Sequence, residues 1–214
     1  MPAKETDKYL KKVEKLYTKN WQSHGSDSRS VGWKDEESHN LRFKKLVQVI
    51  EEANDVTQIT VNDYGCGYGA MFKYLDKLPH VRVTKYYGYD ISNEMIMAAG
   101  NYVNDARAEW INSKYVSFDA DYSFVCGTFN VRLDASENVW RRYIEETLLK
   151  LGVMSKKGFA FNLLSTYVEW REKHLYYGDP HYFFDFCRTR ISKYVSLLHD
   201  YPLFEWTILV RIED

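Results

Sequence analysis

The sequence predicts an α/β fold: a mostly parallel, seven-stranded sheet with an antiparallel last strand, helices on both faces and an N-terminal helical lid. Three observations carry this. From about residue 55 onward, short apolar runs alternate with helical stretches, the signature of parallel βαβ units. A glycine cluster at 65–69 follows the first of these runs and opens a helix. The last two runs, Tyr194 to Leu198 and Phe204 to Ile212, are separated only by His199-Asp-Tyr-Pro-Leu203, too short for a parallel crossover, so they pair as an antiparallel hairpin. The chain divides into a helical cap at 1–54 and one compact unit at 55–214.

The cap begins with Leu10, Val13, Leu16 and Tyr17 at helical spacing, which predicts a helix over 7–20. Ser23 to Trp33 is small, polar and aperiodic, a loop. A second helix starts near Asp35 and carries Leu41, Phe43, Leu46, Val47 and Ile50. Ile59 to Val61 is the first strand, and the helix after the glycines stops before Pro79. Val81 to Tyr89 is a strand ending at Asp90, after which Ser92 caps a helix. Glu109 to Ile111 and Tyr122 to Cys126 are the next strands. Val139, Trp140, Tyr143, Ile144, Leu148 and Leu151 mark the strongest helix, and Gly158 turns it into the strand Phe159 to Leu164. Asp179-Pro180 pairs an N-cap with proline at the first helical position.

Charge and composition argue against several classes. With 29 basic and 30 acidic residues, net −1, the chain lacks the footprint of a phosphate-backbone binder, so no nucleic-acid partner is expected. Cys66, Cys126 and Cys187 form no framework or zinc pattern, no metal is expected, and they read as reduced cytoplasmic thiols. No stretch is apolar enough to suggest a membrane partner. Aromatics make up 16% of the chain, an excess that packs cores or lines pockets for flat or cationic ligands. His24, His39 and His80 lie in polar surroundings and read as solvated.

Chemistry concentrates in Asp63-Tyr-Gly65-Cys66-Gly67-Tyr-Gly69-Ala70. Gly65, Gly67 and Ala70, with Asp90 25 residues beyond Gly65, satisfy a dinucleotide fingerprint. Asp63 argues against it, because an acid two residues before the first glycine would repel an anionic pyrophosphate and suits a ligand with a cationic amino group. This run, with the Gly-Tyr-Asp-Ile-Ser92 segment, resembles the cofactor loop of the class I S-adenosylmethionine-dependent methyltransferases over about residues 55–214, a family with a Rossmann-like sheet and an antiparallel seventh strand. A Gly-x-Gly-Trp-like stretch near Trp33 and the His199-Asp-Tyr-Pro segment are similar to a bacterial-type small-molecule subgroup.

The resemblance implies S-adenosyl-L-methionine as cofactor and S-adenosyl-L-homocysteine as product. Asp63 would face the amino group; Gly65, Cys66, Gly67 and Gly69 would admit the ligand; Asp90 would take the ribose hydroxyls. Ile91 would flank adenine, its polar edge would be read by Asn112-Ser113 or by Asp119-Ala120, with spacing favouring Asn112, and the backbone of the run from Cys126 and Gly127 through Thr128 to Asn130 would lie under the sulfur. By residue type alone Cys66 and Cys126 are small fillers, and Trp33 is core or a cover for the site. Asn130, His174, Tyr177 and His181 follow the fourth and fifth strands, where such sheets bind their second ligand. A general base would be one of His174, His181 and His199, and His181, at the first turn of its helix, is the favoured candidate. The expected reaction is in-line methyl transfer to a small-molecule acceptor, a metabolite or sugar-like compound with an O or N nucleophile. A nicotinamide-dependent oxidoreductase and a non-catalytic partner subunit are the alternatives.

Overall fold

A computed structural model describes residues 2–24, 35–50 and 56–212. Strands β1 (Thr57–Tyr64), β2 (Val81–Asp90), β3 (Ala108–Asn112), β4 (Ala120–Val125), β5 (Ser155–Ser165), β6 (Tyr177–Gly178), β7 (Tyr194–Leu198) and β8 (Glu205–Arg211) form one sheet. Its order is β3-β2-β1-β4-β5-β8-β7. The first five strands run parallel, while β8 pairs antiparallel with both β5 and β7. The antiparallel strand is therefore last in the chain but second from the edge, and β7 is the edge. The sheet has eight strands rather than seven, because Tyr177 and Gly178 pair with Leu164 and Ser165 beyond the point where β4 ends.

Six helices flank the sheet among the described residues: α1 (Pro2–His24), α2 (Glu36–Leu46), α3 (Ala70–Leu75), α4 (Asn93–Tyr102), α5 (Glu137–Met154) and α6 (Pro180–Arg190). Both expected caps are present: Ser92 accepts from the Met95 N–H at 3.3 Å and Asp179 from His181 at 2.9 Å, and Asp35 adds a third, accepting from the Ser38 N–H at 2.7 Å. Gly158 is not the helix-to-strand turn. The chain passes directly from Met154 to Ser155, and Gly158 sits within β5, where a Cβ would lie 2.4 Å from the Val210 carbonyl.

Alternate side chains of the central strands divide the core into two layers, as a pleat requires. Tyr64, Val125, Phe161 and Ile208 pack with α1, α5 and α6. Val61, Phe124, Ala160 and Leu209 pack with α2 and α3. Much of the aromatic excess is spent here: Phe161, Phe183 and Trp206 meet at centroid distances of 5.6–6.3 Å. Helix α1 runs further than the sequence period indicated and packs on α4 and α5 over the carboxyl end of β1.

Candidate functional site

The site is made by the abrupt exit of β1. Gly65, Gly67 and Gly69 all have positive φ, +77°, +54° and +85°, which L side chains rarely adopt. The Gly65 and Cys66 N–H groups both donate to the Tyr89 carbonyl, at 2.8 and 2.9 Å, so the turn is folded against the end of β2. A Cβ at Gly65 would stand 2.1 Å from Thr128 Oγ1. That hydroxyl donates to the Tyr64 carbonyl at 2.9 Å and ties the exits of β1 and β4 together.

Two recesses open on either side of this turn. The larger encloses about 660 Å³, mouth included, and is lined by Gly65, Gly67, Asp90, Ile91, Cys126 and Gly127, with Leu10, Val13 and Tyr17 of α1 above. The smaller, about 320 Å³, shares Gly65, Gly67 and Cys126, and adds Asp63, Cys66 and His39. An acid stands in each. Asp90 accepts from Gly67 N–H at 3.0 Å and Ser92 N–H at 2.9 Å. Burial pushes its carboxyl up to about 6, against the opposing pull of those N–H groups. Asp63 is 2% exposed and accepts from the Tyr86 hydroxyl. Burial pushes it up to about 7, the Tyr86 bond opposing and the Asp90 charge adding.

This arrangement fits a ligand with hydroxyl donors at one end and a cation at the other. The Asp90 carboxylate has acceptor capacity left after two N–H bonds. Asp63 is a buried carboxyl that no cation meets among the described residues, and an ammonium group would bring its proton affinity down. Bare glycine backbone between them lets a ligand approach closely. S-adenosylmethionine has this distribution of groups.

Other expected residues are placed differently. Gly69 caps α3 and packs beneath Trp110, whose ring a Cβ would meet at 2.7 Å; it lines neither recess. Asn112 spends its Nδ2 on the Asp90 and Ile91 carbonyls, at 3.1 and 3.0 Å, and its neighbour Ser113 lines the large recess instead. Trp33 and most of the 23–33 loop lie outside the described residues. Asn130, His174, Tyr177 and His181 line neither recess. Asn130 is buried and accepts the Leu164 N–H at 3.2 Å. The Tyr177 hydroxyl accepts from Glu172 N–H at 3.0 Å, and His174 is exposed. The His181 side chain is 73% exposed, 3.7 Å from Asp179 and edge-on to Tyr167.

His39 corrects the reading of a solvated imidazole. It is buried, lies with its ring tilted 43° to that of Phe43 at a centroid distance of 4.4 Å, and is lowered to about 4 by burial and then by Arg42. Its polar sequence neighbours gave no hint of this, because α2 turns its His39, Arg42 and Phe43 side inward. Tyr17 was missed as a site residue, although it lies on the apolar stripe of α1, which was the available signal; Thr128, within the run expected under the sulfur, lines the large recess. Burial raises the thiols of Cys66 and Cys126, so neither is a thiolate nucleophile.

No family model matches the chain. A protein of Mycobacterium tuberculosis named "putative methyltransferase" is 44% identical over 161 residues, covering 74% of this chain and 96% of that protein. Among solved structures, magnesium protoporphyrin IX methyltransferase from Synechocystis PCC 6803 with bound SAM superposes with a TM-score of 0.66 at 11% identity, covering 95% of this chain and 97% of that one. The DhpI–SAH complex gives a TM-score of 0.66 at 13% identity, covering 95% and 96%. At such identities these two likenesses carry the fold.

Proposed function

The chain belongs to the class I S-adenosylmethionine-dependent methyltransferases, and from that premise we propose that it methylates a small-molecule acceptor, a metabolite or sugar-like compound, at oxygen or nitrogen by in-line displacement. Family membership displaces the nicotinamide alternative. The observation that supports the cofactor reading most is the pair of recesses meeting at the Gly65–Gly67 turn, with an acid in each.

When bound, S-adenosylmethionine supplies a methyl group on a cationic sulfur. Asp90 would hold the ribose hydroxyls, and Ile91 and Ser113 would flank adenine. Asp63 would face the amino group, and Cys126 and Gly127 would border the sulfur. Tyr17, Leu10 and Val13 exclude water from above, and keeping the site dry and aligned is the main contribution such a reaction asks of the protein. On the acceptor side we place Asn130, His174, Tyr177 and His181, with His181 as base once its ring turns inward. The small-molecule choice is supported by the near-neutral charge, and the DhpI and protoporphyrin enzymes are compatible neighbours. We place the reaction in the cytoplasm, in keeping with three free cysteines. Among the described residues no helix is long and apolar enough to cross a membrane.

Thermal shift with S-adenosylhomocysteine and with NADH tests the cofactor. Stabilisation by the first alone is expected, and stabilisation by NADH alone would overturn the reading. Transfer of radiolabelled methyl to a fractionated metabolite extract, against bulk RNA and protein, tests the acceptor class; label confined to polymer would refute it.

A further inference from the structure

Behind the wall shared by the two recesses runs a chain of buried polar groups that the reaction itself does not use. Arg42 of α2 donates from Nε to both carboxylate oxygens of Glu205 at the start of β8, at 3.0 and 2.9 Å, and from Nη2 to one of them. Arg42 is 7% exposed and Glu205 2%. Glu205 Oε2 accepts from Asn162 Nδ2 on β5 at 2.7 Å, and Asn162 Oδ1 accepts from the Gly127 N–H at 2.7 Å. Gly127, with φ +69°, lines the large recess, and Cys126 before it lines both.

We propose that Arg42, Glu205 and Asn162 are positioning residues that set the backbone of Cys126 and Gly127 for cofactor binding. An ionised carboxylate offers only acceptors, so Glu205 draws the NH2 end of Asn162 to itself and leaves the amide oxygen for Gly127. Arg42, with its fork closed on Glu205, fixes that carboxylate. The same arginine docks α2, whose His39 and Phe43 line the small recess opposite Asp63. One relay thus joins the lid side of the site to the exit of β4. A buried ion pair is weak evidence for stability, since apolar replacements of both partners are often neutral. Specifying a backbone geometry is the better account of a pair placed here.

The inference rests on the cofactor reading above, and its test separates the two. The double variant Arg42→Met/Glu205→Leu removes both charges together. We expect its urea midpoint to stay near wild type, its Kd for S-adenosylhomocysteine to rise tenfold or more, and amide exchange at Gly127 to accelerate without change in β2. Unaltered Kd and unaltered Gly127 exchange would overturn the relay. Should the double variant not fold, Arg42→Lys, which keeps the charge but not the fork, carries the test: a Kd raised threefold or more is expected, and an unchanged Kd refutes it. A wild-type protein that binds no S-adenosylhomocysteine would sink the cofactor reading instead, and Gly127 exchange would still judge the relay.

Discussion

Replacing Asp90 with Asn tests the site most sharply, because the structure fixes what is lost. The carboxylate has about four lone-pair positions, and Gly67 and Ser92 N–H groups occupy two. Asp90 lines the large recess, where two hydroxyl donors on its remaining acceptor capacity would each form a charge-assisted hydrogen bond of about 1.5–3 kcal/mol. Asn keeps the shape but has one acceptor oxygen, so it cannot serve the two N–H groups and two hydroxyls together. Alanine is the poorer probe, because it would leave both N–H groups unpaired and confuse binding with folding. The expected loss is about 1.5–3 kcal/mol, roughly a 10- to 150-fold rise in Kd for S-adenosylhomocysteine, read by calorimetry at pH 8. At that pH the wild-type carboxyl, pushed up to about 6, is ionised. Hydroxyl donors favour the ionised form, so wild-type affinity should fall almost tenfold per pH unit below about 6, and the Asn variant should not share this fall. Asp63, pushed up to about 7, titrates in the neighbouring window. The pH comparison is therefore made between Asp63→Asn and Asp63→Asn/Asp90→Asn. A Kd for Asp90→Asn within twofold of wild type at pH 8 would refute the assignment.

Asp63→Asn addresses stability. The folded-state carboxyl lies above its ordinary 3.8, so the stabilisation it gives is complete below about 4 and lost as pH climbs through about 7; relative to wild type, the free variant should gain in urea midpoint from pH 5 to pH 8, and an equal difference at both pH values would contradict the buried, cation-free carboxyl. Gly65→Ala should destabilise by about 1–3 kcal/mol through its left-handed φ and the clash with Thr128, and adding Thr128→Ala should recover only part of this; a midpoint unchanged in the single variant would show that the turn is not constrained as described. His181→Ala should slow methyl transfer by about 10²-fold or more if the imidazole is the base, with cofactor Kd unchanged, and a loss under threefold removes it from that role.

Much of the frame was legible because it rests on local periodicity. The strands alternating with helices, the caps at Ser92 and Asp179, and the terminal hairpin each depend on residues within a few positions of one another. The glycine turn with Asp63 and Asp90 was legible for a similar reason: a left-handed turn between strand and helix needs glycine, and a strand-end acid needs no distant partner to be recognised. What escaped depended on contacts across the sheet. Gly69 packs against Trp110, and Asn112 turns back on the Asp90 carbonyl. His39 is buried because α2 is docked through Arg42 on a glutamate 163 positions away. Tyr177 extends the sheet as an extra strand because β4 stops short of the end of β5. Side-chain direction is set by which neighbours the fold brings close, and a linear pattern holds only the face on which a residue stands. The sequence by itself determined the kind of sheet and pointed to a candidate site at its carboxyl end with Asp63 and Asp90 beside the glycine turn; only the tertiary structure decided which side chains line the recesses there, because burial and hydrogen-bond partners are properties of pairs far apart in the chain.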